Sequence, residues 1–428
     1  MNILCLQAVE NIPLDKLIKR INTKHVFSPQ KSEKIEGKGN VLICGEKTKV
    51  TRSYCRQPLK FRGENEFINV WLENGVAVFN DTIIYQSDIY ITYNAKSINK
   101  AEKLVKALLE VAPFILVEPD MYERIKQMQG SFDPLALPAY KNSNINNGLL
   151  CHLCWQIYAV SAAWAKFLEN PLERVALRQL RVKIRRLRSC LSFFKPALKV
   201  VECIEWQSKL RAQGEELSRL RELDVVFMSL TRMGNVVHEA AKDSSHLGNL
   251  FAKARDEEMV RIRTELSLAS MNFELVKFIF WLQNRPATHE YSAKSLKKFL
   301  YDRVEQWSDN IMSLTERYPE FSDMQAAHKI RIKVKRFRYA LMCFPEVNKG
   351  AGNMLRKLKR LQDMLGFLHD DYVNGHLAEA IITEEDDDEL HYEAAVFTGW
   401  ESAKVEASIN GLEYLWEDFC DELKVWKK

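Results

Sequence analysis

The sequence predicts an α+β protein overall, with a small N-terminal module of α/β type (residues 1–140) followed by an all-α region from 145 to 428. Three observations carry this. Short β-branched and aromatic segments bounded by Gly, Asn and Asp are confined to the first part of the chain. From 149 onward, apolar residues recur with helical period almost throughout. Between the two lies PLALPAYKNSNINNG (134–148), whose Pro, Asn and Ser content reads as a linker.

Taken in order, NVLICG (40–45), FINVWL (67–72), GVAVF (75–79) and DIYITY (88–93) read as strands, with turn signals at ENG (73–75) and FND (79–81). Ser97 stands where it can cap a helix running through KAEKLVKALLEV, and FILVEP (114–119) is strand-like. Helices are then predicted over 149–168, 173–195, 203–232, 236–265, 270–283, 293–316, 325–343, 350–381 and 389–424. ENP (169–171), RPATHE (285–290) and YPEFSD (318–323) supply breaks, and EEDDDE (384–389) reads as a solvated acidic loop or a helix start.

The chain has 428 residues, 46% of them hydrophobic and 28% charged, with a formal net charge of only +5. A site for an anionic chain must therefore come from local clustering of charge. Apolar runs are too short to span a bilayer, so no membrane partner is expected. The start, MNILCLQAVENIPLDK, lacks the basic lead and long apolar core of a leader peptide. Nine scattered cysteines, an odd number, point to reduced thiols and a cytoplasmic location. Cys151 and Cys154 have C-x-x-C spacing, but no second pair follows and the surrounding helix is apolar, so core packing is expected rather than a metal.

The chemistry lies in a repeat. LRQLRVKIRRLRSCLSFF (177–194) aligns without a gap on AHKIRIKVKRFRYALMCF (327–344). Leu180, Ile184, Leu187 and Leu191 match Ile330, Val334, Phe337 and Leu341, an apolar stripe along one helix face. Beside it run Arg178, Arg181, Arg185 and Arg188, matched by His328, Arg331, Lys335 and Arg338. Lys183, Arg186, Lys333 and Arg336 add charge to neighbouring faces, and neither stripe contains an acid. Like charges three or four apart each cost about 0.2–0.5 kcal/mol, so two matched stripes point to an anion that offsets the repulsion.

A second pair of segments repeats as well. SKLRAQGEELSRLRELDVV (208–226) aligns on RKLKRLQDMLGFLHDDYVN (356–374). Leu210, Leu217 and Leu220 match Leu358, Leu365 and Leu368, while Arg211, Gly214, Ser218 and Arg221 match Lys359, Gln362, Gly366 and His369. Small residues at 218 and 366 admit either a neighbouring helix or a ligand chain. Arg174 to Arg221 holds 13 Lys/Arg against 4 Asp/Glu, and His328 to Arg360 holds 11 against 1.

These four segments, in this order, resemble the conserved histidine α-helical domain, the CHAD family, over about residues 145–428. The resemblance implies two pseudo-symmetric four-helix bundles, with repeats over about 145–285 and 290–428. It also implies a basic groove that binds inorganic polyphosphate without catalysis, and a protein carried on polyphosphate granules. Carried over by position, the phosphate contacts fall on Arg178, Arg181, Arg185 and Arg188, with His328, Arg331, Lys335 and Arg338 opposite. Lys183, Arg186, Arg221, Lys333, Lys359 and His369 are further candidates. Where the family usually has its first histidine this chain has Arg178, so pH sensitivity is expected at His328 and His369 instead.

No cofactor, metal site or catalytic residue is expected. The chain has no P-loop, no G-x-S-x-G and no H-E-x-x-H, and adjacent Asp370 and Asp371 point about 100° apart on a helix. The family also occurs fused to a CYTH-type triphosphate tunnel, but EKIEG (33–37) lacks that domain's E-x-E-x-K spacing. Two alternatives stand beside polyphosphate binding. One is an enzyme acting on phosphate chains from the N-terminal module, where His25, Cys44 and Cys55 form no constellation. The other is nucleic-acid backbone binding, which the lack of base-reading and stacking side chains disfavours.

Overall fold

The computed structural model describes residues 2–9, 16, 19, 27–43, 46–61, 68–80, 82–122, 124–125, 144–170, 173–198, 200–236, 245–285, 295–317, 321–343, 352–383 and 387–427. His25, Cys44 and most of the linker, 134–143, lie outside these residues. The chain forms two compact units. One comprises Met1–Ala136, Asn146–Asn170 and Leu266–His289, and the other Leu137–Ile145, Pro171–Glu265 and Glu290–Lys428.

In the first unit, β1 (Asn2–Ala8), β2 (Phe27–Pro29), β3 (Glu33–Ile43), β4 (Glu46–Phe61), β5 (Asn69–Phe79), β6 (Thr82–Tyr93) and β7 (Phe114–Val117) form one sheet. Its order is β2-β4-β5-β6-β1-β7, with β3 also on β4, and every pairing is antiparallel. One face buries Leu6, Val70, Leu72, Ile89, Ile91 and Leu116. The other carries charge that is neutralised in place: Arg56 Nη2 and Arg52 Nη2 lie 2.6 and 3.2 Å from the Glu73 carboxylate, and Arg124 Nη1 lies 2.8 Å from Asp88.

Three expectations change here. The ENG turn is the middle of β5, where Gly75 is needed because a Cβ would come within 2.2 Å of the Ser53 carbonyl on β4. The FND signal does turn the chain, through Asn80 at φ 42°. The helix α1 (Ile98–Leu109) is preceded by a 3₁₀ turn capped by Asn94, with Ser97 as the reciprocal member of the capping box. β4 went unrecognised because Lys and Arg interrupt its alternation, and Glu73 neutralises the two arginines only after folding.

Two helices of the all-α region pack in this unit, α2 (Ile145–Glu169) and α7 (Leu268–Asn284). Both are apolar around most of their circumference, as buried helices are. They also finish the sheet edge. The Leu116 amide donates to Ser161 Oγ at 2.8 Å, and Asn272 Nδ2 donates to the Phe114 carbonyl at 2.5 Å. Side chains thus take backbone groups on β7 beyond its pairing with β1. Cys154 is buried in α2 and Cys151 is exposed.

The second unit is helical. Its elements are α3 (Arg174–Phe194), α4 (Val200–Glu216), α5 (Ser218–Val236), α6 (His246–Glu265), α8 (Leu296–Arg317), α9 (Met324–Cys343), α10 (Gly352–Ile381) and α11 (Asp388–Lys427). All eight residues of the paired apolar stripes on α3 and α9 are 1% exposed or less, each contributing about 1.5–3 kcal/mol. From 177–191 and 327–341 the two helices match in burial class position by position, apart from Val182 and Ile332. The predicted helix 203–232 is split at Leu217, and Asp387 starts α11 by accepting from the Glu389 and Leu390 amides.

Candidate functional site

The apolar stripes fix which way the charged ones point. α3 packs against α9, and α5 against α10. In the first copy, Arg181 Nη1 donates to the Gly214 carbonyl at 2.9 Å and to Ser218 Oγ at 3.1 Å. These groups flank the split at Leu217, where the Gly214 carbonyl also accepts from Ser218 Oγ at 3.1 Å, so one local and one distant donor meet an acceptor at the helix end.

In the second copy α10 runs through the equivalent point unbroken, with Gln362 accepting from Arg338 Nη1 at 3.3 Å. Arg331 Nη2 lies 3.6 Å from Asp370 Oδ1, which sits 3.4 Å from His369 Nδ1. The His369 ring stacks on His328 with centroids 5.2 Å apart, bringing together the two histidines singled out in the sequence. A Cβ added to Gly366 would meet nothing within 4 Å, so open space lies over it.

Arg185 links the copies. Its charge bears on Arg181, Arg188 and Arg221 in its own half and on Arg331 and Lys335 in the other. Burial, then Arg331 and Arg185, push Lys335 down to about 6, against the pull of Asp370. Burial and Arg185 likewise push Arg181 down to about 10. Burial lowers His328, helped by His369, Arg331 and Lys335. The buried Nε atoms of Arg185 and Arg331 have no hydrogen-bond partner among the described residues. Unsatisfied donors of this kind cost stability unless something occupies them.

Not every candidate joins this cluster. Arg178 is exposed and acts on Arg221 only through its charge. Lys359 is exposed on α10. Lys183 is pushed down to about 8 by burial and by Arg186, whose guanidinium lies 5.6 Å from the Tyr339 ring centroid. Lys333 lines a separate cavity with Lys195 and Arg336.

Two acids were missed as members. Burial would raise Asp370, but His369, Arg331 and Arg221 outweigh it and hold the carboxyl below its usual range. Glu222 occupies the equivalent position in the first copy and is raised by burial, against Arg181 and His369. The alignment already set Glu222 over Asp370, which was the available signal. Asp371, its neighbour, turns away to Lys404 Nζ at 2.7 Å, as the 100° helical offset requires.

No group of three metal-binding side chains occurs among the described residues, and no described helix is long and apolar enough to cross a membrane.

Fold and cluster define a duplicated helical module in which matched cationic helices from the two copies meet. The chain belongs to the CHAD domain family, whose model matches residues 158–379, more than half of its length. Among solved structures it is similar to the CHAD domain from the plant Ricinus communis, at 18% identity and a TM-score of 0.53, over 67% of this chain and 96% of that one. It is also similar to PptA from Streptomyces chartreusis, at 17% identity and a TM-score of 0.51, over 64% of this chain and 100% of that one. At these identities the likeness is one of fold. A comparison with curated protein sequences finds no match.

Proposed function

We propose that this chain binds inorganic polyphosphate, without acting on it chemically, along Arg181, Arg185, Arg188, Arg221, Arg331, Lys335, Arg338 and the His328–His369 pair, and that this binding holds it on polyphosphate granules in the cytoplasm. Membership in the CHAD family supports the ligand class. The observation that carries the reading is the meeting of Arg185 with Arg331 and Lys335, crowded cations of which the two arginines have buried Nε donors without partners among the described residues. A phosphate chain supplies what is missing: oxygens for the guanidinium forks and a negative charge that lets Lys335 keep its proton. The neighbouring aromatics, Phe193, Phe194 and Phe337, are buried in the core and offer no platform for bases.

Titration of the full-length protein with long-chain polyphosphate and with single-stranded RNA, at two salt concentrations, tests this. Neutralising about four phosphates should weaken binding about 50-fold between about 50 and 200 mM salt, by counterion release. Equal affinity for RNA, or insensitivity to salt, overturns the reading. Reversing Arg185→Glu and Lys335→Glu together should abolish binding while the circular dichroism of the helices persists. Binding retained in that variant places the site elsewhere.

A further inference from the structure

We infer that the second unit holds another anion site, a cavity of about 230 Å³ lined by Lys195, Lys333 and Arg336, which takes a short oligophosphate or the terminal phosphates of a longer chain. It is built where the end of α3 meets α4, α8 and α9, and it stands on different residues from the Arg185 cluster. Lys195 lies in the 3₁₀ turn that follows α3, while Lys333 and Arg336 project from α9 off its main basic stripe. Gln207, Asn310, Trp307, Ser192 and Ile311 complete the walls, and none of the described lining residues is a carboxylate.

Three features separate this from an ordinary basic surface. First, the cations are unpaired. Among the described residues none of Lys195, Lys333 and Arg336 has a side-chain hydrogen bond or ion pair, whereas Arg255, Lys357 and Lys404 of the same unit each hold a carboxylate within 2.8 Å. Second, the polar wall is preset. Gln207 Nε2 donates to Ser192 Oγ at 2.9 Å, and that hydroxyl donates to the Arg188 carbonyl at 3.0 Å, which fixes the amide's orientation.

Third, the space is compact. At about 230 Å³ it would hold roughly eight waters at about 30 Å³ each, the scale of a few phosphate groups. Two point-charge ammonium groups and a guanidinium fork call for several negative charges in a small volume, which a single carboxylate does not carry. Trp307 bounds the cavity and is itself held edge-to-face on Phe193, with centroids 5.2 Å apart.

The inference does not depend on the proposed groove. Calorimetric titration of the full-length protein with inorganic triphosphate should show binding that Lys333→Gln with Arg336→Gln weakens about tenfold or more, the loss of at least one charge-assisted contact. Arg185→Gln with Lys335→Gln should leave triphosphate affinity in place. Unchanged affinity in the first variant, or its loss in the second, overturns the site, and so does the absence of triphosphate binding in the unaltered protein. A single Lys195→Gln variant repeats the test from a residue outside α9, in case the double variant disturbs packing. The source is read by adding triphosphate to protein saturated with long-chain polyphosphate. Binding that persists indicates free oligophosphate as the occupant, and binding that is blocked indicates the chain end. If long chains fail to bind while triphosphate binding still depends on Lys333, the groove reading falls and this site stands.

Discussion

Buried charge is handled in opposite ways on the N-terminal sheet and in the helical cluster. On the sheet, Glu73 is 3% exposed and accepts from Arg52, Arg56, Trp71 and Gln86. Asp88 is fully buried and meets Arg124. Each acid there has its cation within the fold, although Arg52 Nε and Asp88 Oδ1 are buried without a hydrogen-bond partner among the described residues. In the cluster, Arg181, Arg185, Arg221, Arg331 and Lys335 crowd one another with Asp370 and Glu222 as the acids among them. Acids paired one by one with cations specify structure, while cations crowded in excess of their acids are poised for a ligand. Charge removal should therefore change stability with opposite sign in the two places.

The largest effect is expected on the sheet. Glu73→Ala strands two arginines and should cost about 3–5 kcal/mol in chemical denaturation, the scale for breaking a buried ion pair from one side. A loss below about 1 kcal/mol would show that water reaches Arg52 as it already reaches the 41%-exposed Arg56.

Next comes Lys335→Met, which should stabilise the unliganded protein by about 1–3 kcal/mol while weakening polyphosphate binding. The pH dependence follows from Lys335 being pushed down to about 6 from an ordinary value of 10.5. Between those values the unfolded chain holds a proton that the folded one lacks, so this group makes stability rise with pH across the window. Its destabilisation is complete below about pH 6. Lys335→Met should flatten that part of the stability profile, and a slope identical to that of the unaltered protein would remove Lys335 from the cluster.

The smallest expected effect separates the two copies. Burial and the neighbouring cations hold His328 below its ordinary value, so it charges only under acidic conditions. The corresponding Arg178 is charged throughout. His328→Gln should therefore remove part of the gain in polyphosphate affinity on going from about pH 7 to about pH 5, by a few-fold at most. Arg178→Gln should lower affinity evenly across that range. Identical profiles for the two variants would erase the distinction between the halves.

Much of this was legible in the primary structure. The 3.6-residue period placed α3 and α9 closely, and the gapless alignment paired their apolar stripes, because helical geometry is local and a buried face must repeat with it. Less was legible where distant residues decide the outcome. β4 reads as a polar segment until Glu73 of β5 neutralises it. The split between α4 and α5 is stabilised in part from a distance, because Arg181 of α3 joins the local Ser218 hydroxyl at the Gly214 carbonyl.

By itself the sequence determined the duplication, the two helices that bear it and the side of each helix that carries charge, since these follow from spacing along one chain. Only the tertiary structure decided which cations meet. It set Arg185 against Lys335, stacked His328 on His369, placed Asp370 among the arginines, and drew Lys333 and Arg336 aside into a cavity with Lys195. The reason is physical: charges couple through space over a few ångströms, and the partners here lie some 40 to 150 residues apart along the chain.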